Sequence, residues 1–131
     1  MRLLLDTHAL IWLVMDNPRL GQRARGAIFD PVNEVFVSVI SLWQMAVKVR
    51  AGKLANIDLE KVSRAVLSHG FTLLALEARH IWEMVRLPRV ADHRDPFDQQ
   101  LIAQAIAENL TFVTDDRHAP RYGAQTLACG A

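Results

Sequence analysis

Cysteine is almost missing from this 131-residue chain, Cys129 being the only one. A disulfide framework is therefore excluded, as is a zinc site built on thiolates. The usage fits a reducing compartment. Lysine is also scarce, with three against twelve arginines among the 15 basic residues. No apolar run approaches the ~18 residues that span a bilayer. The opening Met1-Arg2-Leu3-Leu4-Leu5 is interrupted by Asp6 and His8, and no small-residue cleavage site follows. A soluble, cytoplasmic protein is expected rather than a secreted or membrane-bound one. Glycine-rich loops are missing as well. Gly52-Lys53 lacks the glycine that a phosphate-binding loop places five residues earlier, where Val47 stands, and no Ser or Thr follows it. His93-Arg94-Asp95 likewise has no glycine-rich loop to make it part of a kinase.

What is present is ordinary for a compact domain. Apolar residues make up 51% and charged residues 22%, and the net charge is +1. This supports one domain over 1–131 with a real core, and argues against disorder. The net charge also gives no strong global field toward a polyanion. The preference for Arg suits phosphate recognition, although codon bias accounts for it equally simply.

Strand and helix patterns alternate along the chain. Leu3 to Leu5, Glu34 to Ser38, Phe71 to Ala75 and Leu110 to Thr114 read as short buried strands, with Gln125 to Ala128 as an edge strand. Helical patterns lie between them, at about 8–15, 19–29, 38–51, 58–69, 77–86 and 98–108, with a short turn at 116–122. The 77–86 helix is expected to bury Ile81, Met84 and Val85. Leu101, Ile102, Ala105 and Ile106 form one stripe on the helix before the fourth strand. The pattern predicts a three-layer α/β/α sandwich on a mainly parallel sheet of four to five strands.

In such sheets, chemistry gathers beyond the carboxyl ends of the strands. The first strand ends in Asp6. The second runs into a helix carrying Gln44. The fourth ends in Thr114-Asp115-Asp116, and the helix feeding it begins near Asp98, with Asp95 three residues earlier. Each has a plain alternative as a helix cap or turn residue: Asp6, Asp98 and Asp116 as caps, Asp95 before Pro96, and Gln44 with Ser41 as an S-x-x-Q capping box. Taken together, several like charges at one edge call for a cation between them. Mg²⁺ or Mn²⁺, hard and oxygen-seeking, is the natural choice, and hydrolysis by a metal-activated water the natural chemistry. His93 in the acidic loop and His8 just after Asp6 could each approach the metal edge or a substrate phosphate, but a solvated surface role is the favoured reading, and His69 is expected to sit at a helix end. Trp12 and Trp43 are expected in or near the core. Lys48, Arg50 and Lys53 cluster at a helix end, where they suit the helix dipole or RNA phosphates equally.

Three segments, LLLDTHALIW, SLWQMAVKVRAGKL and HRDPFDQQLIAQAIAENLTFVTDDR, strongly resemble the PIN-domain family, and within it the VapC-type toxin ribonucleases of toxin–antitoxin pairs. The resemblance covers nearly the whole chain, with several motifs in order. It implies a metal site at Asp6, Gln44, Asp98 and Asp116, supported by Asp95, with Thr7 and Thr114 as neighbours. It also implies cleavage of RNA (structured RNA such as tRNA), a VapB-like antitoxin partner and a homodimer. The family carries Glu at the position of Gln44, so metal affinity and rate are expected to be reduced. A disabled site that binds antitoxin or RNA without cutting is the competing reading. Two other carboxylate–Mg²⁺ folds do not fit. A receiver domain needs an Asp after its third strand and a late Lys, whereas Leu76-Glu77 stands there and no Lys follows Lys61. A haloacid-dehalogenase-type phosphatase needs a second Asp where His8 stands.

Overall fold

The structure, a computed structural model, describes residues 1–54 and 57–130. Five parallel strands form one sheet in the order β3-β2-β1-β4-β5: β1 is Arg2–Leu5, β2 Glu34–Ser38, β3 Thr72–Leu74, β4 Thr111–Val113 and β5 Thr126–Leu127. Six helices cover it: α1 Thr7–Val14, α2 Gln22–Phe29, α3 Val39–Arg50, α4 Leu59–Ser68, α5 Ala78–Arg86 and α6 Pro96–Ala107. A single 3-10 turn, Ala119–Tyr122, precedes β5. No helix among the described residues is long and apolar enough to cross a membrane.

The central strands are apolar in their buried stretches, Leu3–Leu5, Val35–Val37 and Phe112–Val113, because both faces of a parallel sheet are covered. Their side chains alternate between two cores, as strand geometry requires. Leu3, Leu5, Val35, Val37 and Val113 face Ala9, Leu10, Ala24, Ile28, Val62 and Val66 of α1, α2 and α4. Leu4, Phe36 and Phe112 face Leu101, Ile102 and Ala105 of α6. The expected stripe on α6 is thus buried, although Ile106 is only partly so.

Helix α5 differs from expectation. Ile81 is 46% exposed and Val85 82%, and the residue that α5 buries completely is His80. The ring can be buried because both its nitrogens are satisfied. Nδ1 accepts from the Glu77 backbone N–H at 3.0 Å, and Nε2 donates to Glu108 at 2.9 Å.

Near the end of the chain, Asp115 Oδ1 accepts from the backbone N–H groups of Cys129 and Gly130, and the Cys129 carbonyl accepts from Gly21. Burial, followed by the nearby Asp115 carboxylate, pushes the Cys129 thiol up to about 12. At pH 8 that leaves about 10⁻⁴ of it as thiolate, so alkylation of the native protein should run ~10³-fold slower than for a free thiol. Mass-spectrometric labelling with and without denaturant checks this. Equal rates would show the segment to be open.

Candidate metal centre

Strand order reverses beside β1: β2 and β3 lie on one side, and β4, which follows both in the chain, on the other. A crevice opens beyond the carboxyl ends of two strands at such a reversal. Asp6 follows β1 there, and Thr114 to Asp116 follow β4. The Asp6 N–H still bonds the Val113 carbonyl at 3.0 Å, so the two strands remain locked together up to the site.

Asp6 is 7% exposed. Its Oδ1 accepts from the Thr7 N–H at 2.6 Å, which makes it the α1 cap, and its Oδ2 accepts from the Thr114 hydroxyl at 2.6 Å. Burial pushes its pKa up, opposed by those two hydrogen bonds. The cap reading and a site reading therefore coexist in one residue. Thr7 ties in Gln44: its hydroxyl donates to Gln44 Oε1 at 2.6 Å and lies 3.0 Å from the Ser41 hydroxyl. Gln44 is 7% exposed, in the second turn of α3. The cap of α3 is Ser38, whose hydroxyl accepts from the Ile40 N–H. The Ser41–Gln44 capping box is therefore absent. The strand ends at Ser38, so the cap lies three residues before Ser41 and the helix starts at Val39.

Asp98 does not cap α6 either. Pro96 fills the first helical position, where its missing N–H costs nothing. Asp95 is the cap, its Oδ1 accepting from the N–H groups of Phe97 and Asp98 at 2.8 and 3.3 Å. Asp98 is left free to face the crevice. Burial first, then the charges of Asp95, Asp6 and Asp116, push it up to about 7, with His93 opposing. Asp116 Oδ1 accepts from the His118 N–H at 2.8 Å, and its own N–H donates to the Thr114 hydroxyl at 2.9 Å. Asp6, Thr114 and Asp116 thus form one chain of hydrogen bonds.

His93, expected to be solvated, is 8% exposed and belongs to the site. Its Nε2 lies 3.0 Å from Asp116 and 3.7 Å from Asp98. Donor atoms of His93, Asp98 and Asp116 fall within 4.8 Å of one another, close enough to share one ion. Among the described residues, the only buried side-chain polar atom without a hydrogen-bond partner is also here: His118 Nδ1, 4.0 Å from Asp116. His8 is exposed as expected. Trp12 is half-buried against the core, whereas Trp43 is 58% exposed, edge-on to Phe97 at 4.9 Å. His69 is exposed at the end of α4, with Nδ1 2.8 Å from the Ala65 carbonyl.

A second group, Glu77, His80 and Glu108, also has metal-ligand spacing. Its positive charge is already supplied, because Arg79 pairs with both glutamates. Although burial pushes Glu108 up, the hydrogen bonds from His80 and Arg79 hold it below the usual carboxylate range. Among the described residues no Lys or Arg pairs with Asp98, and only the His93 ring, 3.7 Å away, lies beside it. The group with metal-ligand spacing is His93, Asp98 and Asp116; Asp6 is not among its atoms and is joined to Asp116 through Thr114, and carboxylate oxygens of this kind suit a hard divalent cation.

A stability test follows from the sign of the shift. Asp98 binds its proton more tightly folded than unfolded, so its contribution is fully favourable below the ordinary value of 3.8 and is lost as pH rises toward about 7. In EDTA, the melting temperature should be lower at pH 8 than at pH 5, and Mn²⁺ at pH 8 should restore it. No restoration by metal would remove the cation from this account.

No curated protein matches the chain in sequence. The PIN-domain profile matches residues 3–125. Among solved structures, the chain is similar to VapBC2 from Rickettsia felis bound to a DNA fragment of its promoter (17% identity, TM-score 0.72, covering 97% of this chain and 98% of that one). It is also similar to VapBC-1 of nontypeable Haemophilus influenzae (18%, 0.68, 97% of each). A third similar structure is DNA-bound VapBC from Salmonella typhimurium (21%, 0.67, 97% of each). At these identities the structural likeness speaks for the fold. The profile spans nearly the whole chain, and this protein belongs to the PIN-domain family, a family of nucleases.

Proposed function

We propose that the chain is a cytoplasmic metal-dependent endoribonuclease, the toxin of a VapBC-type pair. In this reading Asp6, Asp98 and Asp116 hold Mg²⁺ or Mn²⁺, Gln44 fills a fourth, weakened position, and Asp95 sets the start of α6 and adds negative charge. The observation that carries it is Asp98: half-buried, surrounded by three other carboxylates and, among the described residues, paired with no lysine or arginine. When bound, the ion supplies Lewis acidity toward a phosphodiester and lowers the pKa of a water. The chain's own residues do the positioning. Thr7 and Thr114 fix Asp6 through both its oxygens, and Thr114 fixes the backbone of Asp116.

The partners in this reading are RNA, a VapB-like antitoxin and a second copy of the chain. An apolar cleft of about 600 Å³ between α1, α2 and α4, lined by Leu13, Val14, Phe29, Val62 and Phe71, suits the tail of an antitoxin. Exposed Trp43, Ile81, Trp82 and Val85 supply apolar surface for self-association.

A second reading has its own observation. Gln44 is uncharged, and its Oε1 is already engaged by Thr7. The chain would then bind its partner without cutting. The test is incubation of a mixed RNA pool with the protein in Mg²⁺, in Mn²⁺ and in EDTA. Cleavage that chelation stops is the expected result. Intact RNA under all three conditions, with an antitoxin-type partner still bound, would favour the second reading.

A further inference from the structure

His93 lies in the segment between α5 and α6, outside every helix and strand, yet it is 8% exposed. Its backbone is held in place: its N–H donates to the Val90 carbonyl at 3.3 Å, and its carbonyl accepts from Gln99 Nε2 at 3.0 Å. The ring is held at both ends. Nε2 lies 3.0 Å from Asp116 Oδ2, and Nδ1 lies 2.7 Å from the hydroxyl of Tyr122, itself 5% exposed. An ionised carboxylate can only accept, so Nε2 is the donor to Asp116, and the second ring nitrogen is held by the Tyr122 hydroxyl.

From this geometry we propose that His93 is a positioning residue of the metal centre: Tyr122 fixes the ring, and the ring fixes Asp116. The inference rests on the metal reading given above. Asp116 follows β4 in a loop that no strand pairing continues. Its Oδ1 is held by the His118 N–H and its Oδ2 by His93, so rotation of the carboxylate is stopped on both sides. Asp98 Oδ2, 3.7 Å from the same Nε2, lies beside the fixed group. The imidazole therefore fixes Asp116 beside Asp98, a carboxylate from a different part of the chain. Full hydrogen bonding would satisfy any buried ring, as it does at His80; what sets His93 apart is that one of its partners is the crevice carboxylate Asp116.

Groups that orient metal ligands in this way typically change metal affinity by ~10–100-fold when removed. Mn²⁺ and Mg²⁺ binding would be measured by calorimetry on the full chain and on Gln44→Glu, each also carrying His93→Ala, His93→Gln or Tyr122→Phe. His93→Ala should weaken Mn²⁺ binding about tenfold or more. His93→Gln, which keeps an N–H donor, should recover most of that loss with the Mn²⁺-to-Mg²⁺ ratio unchanged. Tyr122→Phe should fall between. Melting curves in EDTA separate folding from binding, because Gln and Ala variants of equal stability must still differ in affinity. If Ala and Gln bind equally well, His93 is structural and the proposal falls. If Gln fails to rescue and the Mn²⁺ preference collapses, His93 is itself a ligand, because nitrogen favours the transition metal, and the positioning role falls. If neither background binds either ion, the metal reading fails and takes this inference with it. Binding by native His93 with no loss in His93→Ala overturns the positioning role alone.

Discussion

Asp98→Asn should abolish metal-dependent cleavage while making the metal-free protein more stable. The two effects share one cause. Asp98 is mostly buried beside Asp95, Asp6 and Asp116, and its carboxyl is pushed up to about 7. At pH 8 its ionised form is costly without a cation and is the strongest available attraction for one. Removing the charge relieves the metal-free fold and removes the attraction. One term opposes the gain: an acidic residue in the first turn of α6 interacts favourably with the helix dipole, by ~0.3–1 kcal/mol. Desolvation and three like charges outweigh that, and the net rise in melting temperature in EDTA at pH 8 should be roughly 3–8 °C. Cleavage should fall about 10³-fold or more, which corresponds to ~4 kcal/mol of transition-state stabilisation. The same variant should lose the pH dependence between pH 5 and 8 described for the native chain. A variant that melts lower in EDTA and still cuts would contradict the account on both counts.

Gln44→Glu should move both quantities the other way. Its amide oxygen already lies at the site, 2.6 Å from the Thr7 hydroxyl, and Glu keeps that acceptor while adding a charge. Two unit charges at 4 Å exchange ~4 kcal/mol at an effective dielectric constant of ~20. A gain of about 10- to 100-fold in metal affinity, ~1.4–2.7 kcal/mol, is a modest part of this. Cleavage should rise at least in proportion, and the metal-free protein should become less stable at pH 8 because a fifth carboxylate joins Asp6, Asp95, Asp98 and Asp116. Calorimetric titration and RNA cleavage beside the native chain would measure this. Equal affinities would mean that position 44 lies outside the coordination sphere, and Thr7–Gln44 would then be only a packing contact between α1 and α3.

The sheet was readable because buried strands in a parallel sheet are short apolar runs, and each run here is bounded by polar residues. Glu34–Ser38 is a strand in the structure with the same bounds, and the other four differ only at their ends. Asp6 and Asp116 were placed at the crevice by the same logic, since strand ends in such sheets share one side. The errors have local physical causes. The α6 cap is Asp95 because a proline at the first helical position puts the cap just before it, a signal present in Asp95-Pro96. The S-x-x-Q pattern misled because Ser38, directly at the strand end, caps first. On α5 the apolar stripe faces outward and His80 inward, since complete hydrogen bonding makes a histidine as easily buried as a valine. His93 was missed because its partners, Tyr122 and Asp116, lie 29 and 23 residues further on, and no local pattern shows that.

The link between Thr114 and Asp6 spans 108 residues, nearly the whole chain. Everything before α6 brings together only Asp6, Thr7, Ser41 and Gln44. Asp98 arrives with α6, and Asp116 only after β4 has paired with β1. During synthesis, the chain must therefore be made through β4 and Asp116 before the carboxylates can meet. A fragment that stops short of β4 lacks Asp116 and the β4–β1 pairing, and so has no assembled cluster.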